Sequence, residues 1–258
     1  MEILRKIEHP QISEILVYAN KESAAKAAAE SIIKAVNQNP EIAITYATGD
    51  TMIPVYSELA KAVQTDSVDF SKTTAFHLDE YYPYGPDRKY SFVKFLKELV
   101  FDLLKIQTNN RHTLNGLAEN PDDEAEKYDN LLRNKIGLTL LGVGPGGHIA
   151  FNDPNTSFKS RTHLAELSKD TVYRDKVERG QDTPETALTQ GIGTILESQE
   201  LLMVAYGTKG DYLHSALYEP ISEDCPASAL RLFQREVSII IDNEAGIQIE
   251  LKRERTAV

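Results

Sequence analysis

Short apolar runs alternate with longer amphipathic stretches along most of this chain, and that alternation leaves few architectures open. Residues 14–19, 42–47, 73–78, 138–143, 201–206 and 237–241 read as strands. Between the first two lies an Ala-rich stretch, 22–36, in which Ala25, Ala28, Ala29, Ile32, Ile33 and Val36 recur on one helical face, with Asn20 ahead of it as N-cap. Residues 54–63 and 91–104 read as further helices, the second striped by Phe92, Phe95, Leu96, Leu99, Val100 and Leu103. Such an alternation predicts the α/β class: a single doubly wound, mostly parallel sheet with helices on both faces, Rossmann-like in layout. No Pro- or Ser-rich linker, repeat or low-complexity tract divides the chain, so residues 1–258 read as one domain.

Composition closes off several function classes. With 39 acidic against 28 basic residues the net charge is −11, which argues against nucleic acid as a partner. No apolar run reaches the roughly 18 residues of a membrane span, and the N-terminus lacks an apolar core ahead of a small-residue cleavage site. The one cysteine, Cys225, allows no internal disulfide and fits a cytoplasmic location. An anionic ligand would have to be met by a few locally placed cations and free backbone N–H groups.

A parallel sheet sets its strand ends side by side, and three of them carry polar clusters. The first, Thr48-Gly49-Asp50-Thr51, leads into a helix; hydroxyls and N–H groups at a helix N-terminus suit an anion, although Asp50 or Thr51 could equally be a simple helix cap. The second, 77–82 (HLDEYY), offers two adjacent acids. Neighbouring strand residues point to opposite faces, so one of Asp79 and Glu80 faces the cleft as a base and the other is structural. The third is the glycine loop GVGPGGHIAFNDP, 142–154, where Gly142, Gly144, Gly146 and Gly147 let the backbone turn sharply. There Asp153 can fold back onto His148, fixing its tautomer and raising its basicity. Taken alone, such a loop also fits an ordinary strand-to-helix turn. Arg174 and Lys209 are the isolated basic residues that could complete a site.

The order ATGDT, HLDEYY, LNG, GVGPGGHIAFNDP, SRT, ALTQGIGTIL, the lysine after Gly207, and EDCPAS resembles the glucosamine-6-phosphate deaminase (isomerase) family, over about residues 42–241. The related 6-phosphogluconolactonases share the fold and the Gly-His loop but usually continue differently where this chain has Phe151-Asn152-Asp153-Pro154. The resemblance implies a cytoplasmic enzyme that needs no metal or organic cofactor and converts glucosamine 6-phosphate, or a close analogue, to fructose 6-phosphate plus ammonia. It implies Asp79 as proton-transfer base, His148 as the ring-opening histidine and Asp153, where the family usually has glutamate, as the acid that orients it. Thr48, Gly49, Asp50, Thr51 and Gly147, with Arg174 and Lys209 as a cationic clamp, would bind the phosphorylated substrate. The partner is thus a phosphorylated amino sugar, with no nucleic acid or membrane, and the protein a monomer or homo-oligomer. A non-catalytic sugar-phosphate-binding protein and a 6-phosphogluconolactonase-like hydrolase are the alternatives.

Three positions depart from the family pattern. Gly146 stands where the well-known deaminases carry an aspartate that helps ring opening, so Gly146→Asp should speed that step unless the backbone there needs glycine. Asp153 is one methylene shorter than glutamate and reaches less far toward the imidazole. Asp50 puts an acid beside the phosphate loop, which calls for its side chain to cap the helix or turn away. Regulation follows the same comparison: allosteric members place basic residues two and four positions beyond the arginine of the Ser-Arg-Thr segment. Here His163 and Ala165, followed by Glu166, predict no response to an N-acetylated sugar phosphate. Residues 251–258 read as a short charged tail.

Overall fold

The computed structural model describes residues 2–180 and 182–256. Among these the chain forms ten strands, numbered in chain order: β1 (Arg5–Lys6), β2 (Glu14–Tyr18), β3 (Ala43–Tyr46), β4 (Thr74–His77), β5 (Asp79–Tyr82), β6 (Ile136–Leu141), β7 (His163–Glu166), β8 (Thr186–Thr189), β9 (Glu200–Ala205) and β10 (Glu236–Asp242). Seven make the main sheet in the order β1-β2-β10-β9-β6-β3-β4, parallel except for the edge strand β1. The α-helices are α1 (Lys21–Gln38), α2 (Ile53–Gln64), α3 (Phe92–Leu96), α4 (Pro121–Leu132), α5 (Lys169–Arg179), α6 (Ile192–Ile195), α7 (Gly210–Tyr218) and α8 (Asn243–Thr256). The doubly wound α/β class expected from the alternation is the one formed, and the expected strands coincide with β2, β3, β4, β6, β9 and β10 to within a residue or two.

Local chemistry sets the element ends. Asn20 caps α1 as expected: its Oδ1 accepts from Ser23 N at 2.8 Å while Asn20 N donates to Ser23 Oγ at 3.1 Å. The expected apolar face of α1 is buried at Ala25, Ala28, Ala29, Ile32 and Val36. At α2 no side chain caps the N-terminus; Met52 is its cap residue and Pro54 sits in its first turn, where a missing N–H costs nothing. The third expected helix is α-helical only over α3 and then widens, with Asp102 N donating to Lys97 O and Ile106 N to Phe101 O. Leu103, counted in its stripe, ends up 42% exposed. The charged tail expected over 251–258 is instead the end of α8, which packs on α7; Ala257 and Val258 lie outside the described residues.

The alternation gave no sign of a second sheet. β5, β8 and β7 pair antiparallel, Asp79 opposite Thr189 and His163 opposite the same residue on the other side. The chain leaves the main sheet after His77 and enters the second at Asp79, so the two sheets meet at Leu78, whose carbonyl accepts from Gln190 N at 2.7 Å. Within the main sheet the connections diverge between neighbours β3 and β6: β3 continues outward to β4, and β6 runs the other way to β9 and β10. The crevice at the carboxyl ends of two such strands is where open α/β sheets bind ligands.

Candidate active site

A cleft of about 720 Å³ opens at that point. Five carboxyl ends of the main sheet feed it: Lys21 after β2, Thr48, Gly49, Asp50 and Thr51 after β3, Asp79 after β4, the glycine loop with His148 after β6, and Lys209 after β9. Arg174, Glu178 and Arg179 of α5 supply one wall, with Phe92, Phe95 and Phe151 as apolar lining. Eight of the ten site residues expected from sequence therefore line one cavity. Gly147 and Asp153 do not: Gly147 is buried with its Cα against Cys225, and Asp153 stands behind His148.

One end of the cleft is cationic. Lys209 Nζ donates to Thr51 Oγ1 at 2.6 Å. Burial lowers the Lys209 pKa, and the charges of Arg174 and Lys21 lower it further against an opposing pull from Asp50. Three cations crowded beside the uncapped N-terminus of α2 favour an anion. Asp50 does not cap that helix; it is exposed at the rim. The same cleft holds the two titratable groups suited to proton transfer. Asp79 is 7% exposed, and burial pushes its pKa up to about 8, with Glu80 and Asp175 adding to the shift and Arg179 opposing it. Glu80 points the other way, as the pleat requires. Its carboxylate accepts from Ser91 Oγ at 2.6 Å, Val93 N at 2.9 Å and Phe92 N at 3.1 Å, fastening α3 to β5.

His148 is set by its glycine loop. A Cβ at Gly144 would overlap the imidazole, so only glycine lets the ring lie there. Asn152, fully buried, donates through Nδ2 to Ile149 O at 2.9 Å and Gln190 O at 2.8 Å, which folds the segment back on itself. Asp153 Oδ1 then comes to 3.5 Å from His148 Nδ1, too long for a strong hydrogen bond and in keeping with the shorter side chain. The same carboxylate accepts from Ser168 N at 2.7 Å and Thr171 Oγ1 at 3.0 Å, anchoring the start of α5. The basicity expected for His148 is reversed. Burial, then the Arg174 charge, outweigh the pull of Asp153 and lower its pKa to about 4, leaving a neutral imidazole near pH 7.

Gly146 also answers the expectation placed on it. Its φ is +69°, and an added Cβ would sit 3.0 Å from Pro154 Cγ. The backbone there does need glycine. The sequence missed Lys21 and Arg179. Lys21 follows a strand end just as Lys209 does, and that position was its available signal; Arg179 had none, because the pairing that directs α5 inward belongs to the unforeseen second sheet. Among the described residues no cluster of three or more His, Cys, Asp or Glu side chains is placed to hold a metal ion.

Known proteins share this plan. A family model described as glucosamine-6-phosphate isomerases/6-phosphogluconolactonase matches residues 19–239. A glucosamine-6-phosphate deaminase of Clostridium botulinum is 35% identical over 92% of this chain and 99% of its own. One of Clostridium perfringens is 33% identical over 90% and 98%. Among solved structures, one described as a monomeric glucosamine-6-phosphate deaminase superposes with a TM-score of 0.87 at 32% identity, covering 91% of this chain and 99% of that one. A 6-phosphogluconolactonase of Thermotoga maritima reaches 0.70 at 19% identity over 89% and 100%, a likeness of fold alone.

Proposed function

This chain belongs to the glucosamine-6-phosphate isomerase/6-phosphogluconolactonase family, and from that premise we propose that it is a glucosamine-6-phosphate deaminase acting on glucosamine 6-phosphate or a close analogue. The observation that carries the reading is the make-up of the cleft: Thr51, Lys209 and Arg174 offer an anion its partners, and Asp79 and His148 occupy the same cavity. A dianionic phosphate held by these groups hangs on C6 of the sugar, away from the reacting C1 and C2. The neutral His148 imidazole accepts the anomeric hydroxyl proton and returns it to the ring oxygen, which opens the sugar. Asp79 as carboxylate takes the proton from C2 and delivers it to C1, while a proton passes from the amine to the C1 carbonyl oxygen, giving a ketimine. Water adds to that ketimine, and fructose 6-phosphate and ammonia leave, so that one water is consumed per turnover. Asp153 orients His148 and at the same time fastens α5, and Thr48, Gly49 and Asp50 complete the loop around the phosphate.

Support for deamination over lactone hydrolysis comes from the curated relatives at 33–35% identity, all deaminases, whereas the lactonases resemble this chain in fold only. The raised pKa of Asp79, in the same cleft as His148, supports a catalytic reading over a binding protein without chemistry. We read residues 1–258 as one domain, because the cleft draws on both sheets, and the protein as cytoplasmic and, like the structural neighbour described as monomeric, a monomer. No helix among the described residues is long and apolar enough to cross a membrane. The test is ammonia release from 6-phosphorylated amino sugars, run beside hydrolysis of 6-phosphogluconolactone. Ammonia from glucosamine 6-phosphate with no lactone turnover is the expected result; lactone hydrolysis alone would overturn it.

A further inference from the structure

A continuous polar chain runs behind the α5 wall of the cleft. Asp175, fully buried, accepts Arg174 Nε and Nη2 on Oδ1 at 3.0 and 2.9 Å. Its Oδ2 accepts the Tyr81 hydroxyl at 2.5 Å, and that hydroxyl oxygen in turn accepts Arg179 Nη1 at 2.6 Å. Arg179 is further held by two ring faces, its guanidinium carbon lying 5.7 Å from the Tyr81 centroid and 5.0 Å from that of Phe92. Tyr81 is two residues beyond Asp79 on β5, hence on the same face of the strand. The chain holds two guanidinium charges against one carboxylate, and Asp79, buried on the shared face, supplies a second. A buried carboxylate that holds Arg174 directly and Arg179 through the Tyr81 hydroxyl is costly to dismantle, unlike an exposed ion pair.

We propose that Arg174, Asp175, Tyr81 and Arg179 form a positioning chain that locks α5 to β5, with Arg179 as the positioning residue that presents its charge to the Asp79 carboxylate. The phosphate clamp and the proton-transfer base are then set by one structure, so that a shift of α5 misplaces both. The proposal rests on the reading of Asp79 as base. The charged and titratable groups acting on Asp79 are Glu80 on its own strand, Asp175 and Arg179 from α5, and Tyr128 from α4; uncharged Thr189 stands opposite on β8. Arg179 and Asp175 act with opposite signs, the guanidinium favouring the carboxylate and Asp175 opposing it.

The experiment follows the Asp79 carboxyl by ¹³C NMR through a pH titration of the substrate-free protein, with Asp79→Asn identifying the signal. Arg179→Met should move the midpoint up by about one pH unit, and Arg179→Lys should restore most of it. In steady state Asp175→Asn should raise KM several-fold by releasing Arg174. An unchanged midpoint in Arg179→Met, or an unchanged KM in Asp175→Asn, would overturn the proposal. Because the titration needs no turnover, it stands apart from the reading of Asp79 as base, which full activity in Asp79→Asn would sink.

Discussion

Two residues with displaced pKa values determine what a pH profile of this enzyme should look like. The base acts as a carboxylate, so kcat/KM should rise with pH up to a limb set by Asp79, near 8, and fall below it as the group protonates. His148, pushed down to about 4, is already neutral there and adds no limb near pH 7. A profile that stays flat from pH 9 down to pH 6 would contradict this order. Asp79→Asn should lower kcat by about 10²–10⁴ with an unchanged circular dichroism spectrum and Tm, the usual loss for a general base. Gly146→Asp behaves oppositely to the hope that a restored carboxylate would speed ring opening. At φ +69° with Pro154 alongside, aspartate strains the loop by about 1–2 kcal/mol, so a lower Tm and no gain in kcat are expected. At this scale the sequence was informative where chemistry leaves a motif: Asp79, His148, Arg174 and Lys209 all reach the cleft. Arg179 was invisible because its neighbours, Tyr81 and Asp175, lie 98 and 4 residues away and only the folded chain brings them together.

Among the elements, α2, α5 and the loop after β9 cooperate at the anion-binding part of the cleft. Lys209→Ala should raise KM more than it lowers kcat, because a remote phosphate is bound alike in ground and transition states. A fall in kcat at constant KM would place Lys209 nearer the chemistry. A different element contact carries stability. Asp129 of α4, 3% exposed, accepts from Thr162 N and Oγ1 before β7, from Thr194 Oγ1 of α6 and from Arg161. Asp129→Ala leaves those buried donors unmatched and should cost roughly 1–3 kcal/mol in denaturant unfolding without altering KM. The elements of the main sheet were legible because each strand is a short apolar run followed by an amphipathic helix. β5, β7 and β8 were not: each is four residues long and owes its pairing to partners far away in sequence, so no local pattern marks them.

At the scale of the whole molecule, the expected lack of allostery has a physical basis. Arg161 is spoken for by Asp129 and Glu197, and the positions beyond it, His163 and Ala165, followed by Glu166, offer an anion no fixed charge. Hyperbolic kinetics, unchanged by N-acetylglucosamine 6-phosphate, are expected; a sigmoidal curve relieved by that compound would refute this. The overall α/β layout was readable from alternation alone, but the order of strands was not, since periodicity says what each segment is and nothing of where it docks. That order has a consequence for a chain emerging from the ribosome. β10, made last of all the strands, lies between β2, almost the first, and β9. Until its residues emerge, β2 with α1 and Lys21 has no parallel neighbour to join, and the nascent chain must keep a slot open. Function therefore switches on late and all at once during synthesis, and stalled chains ending before residue 236 should remain protease-sensitive and unable to bind substrate.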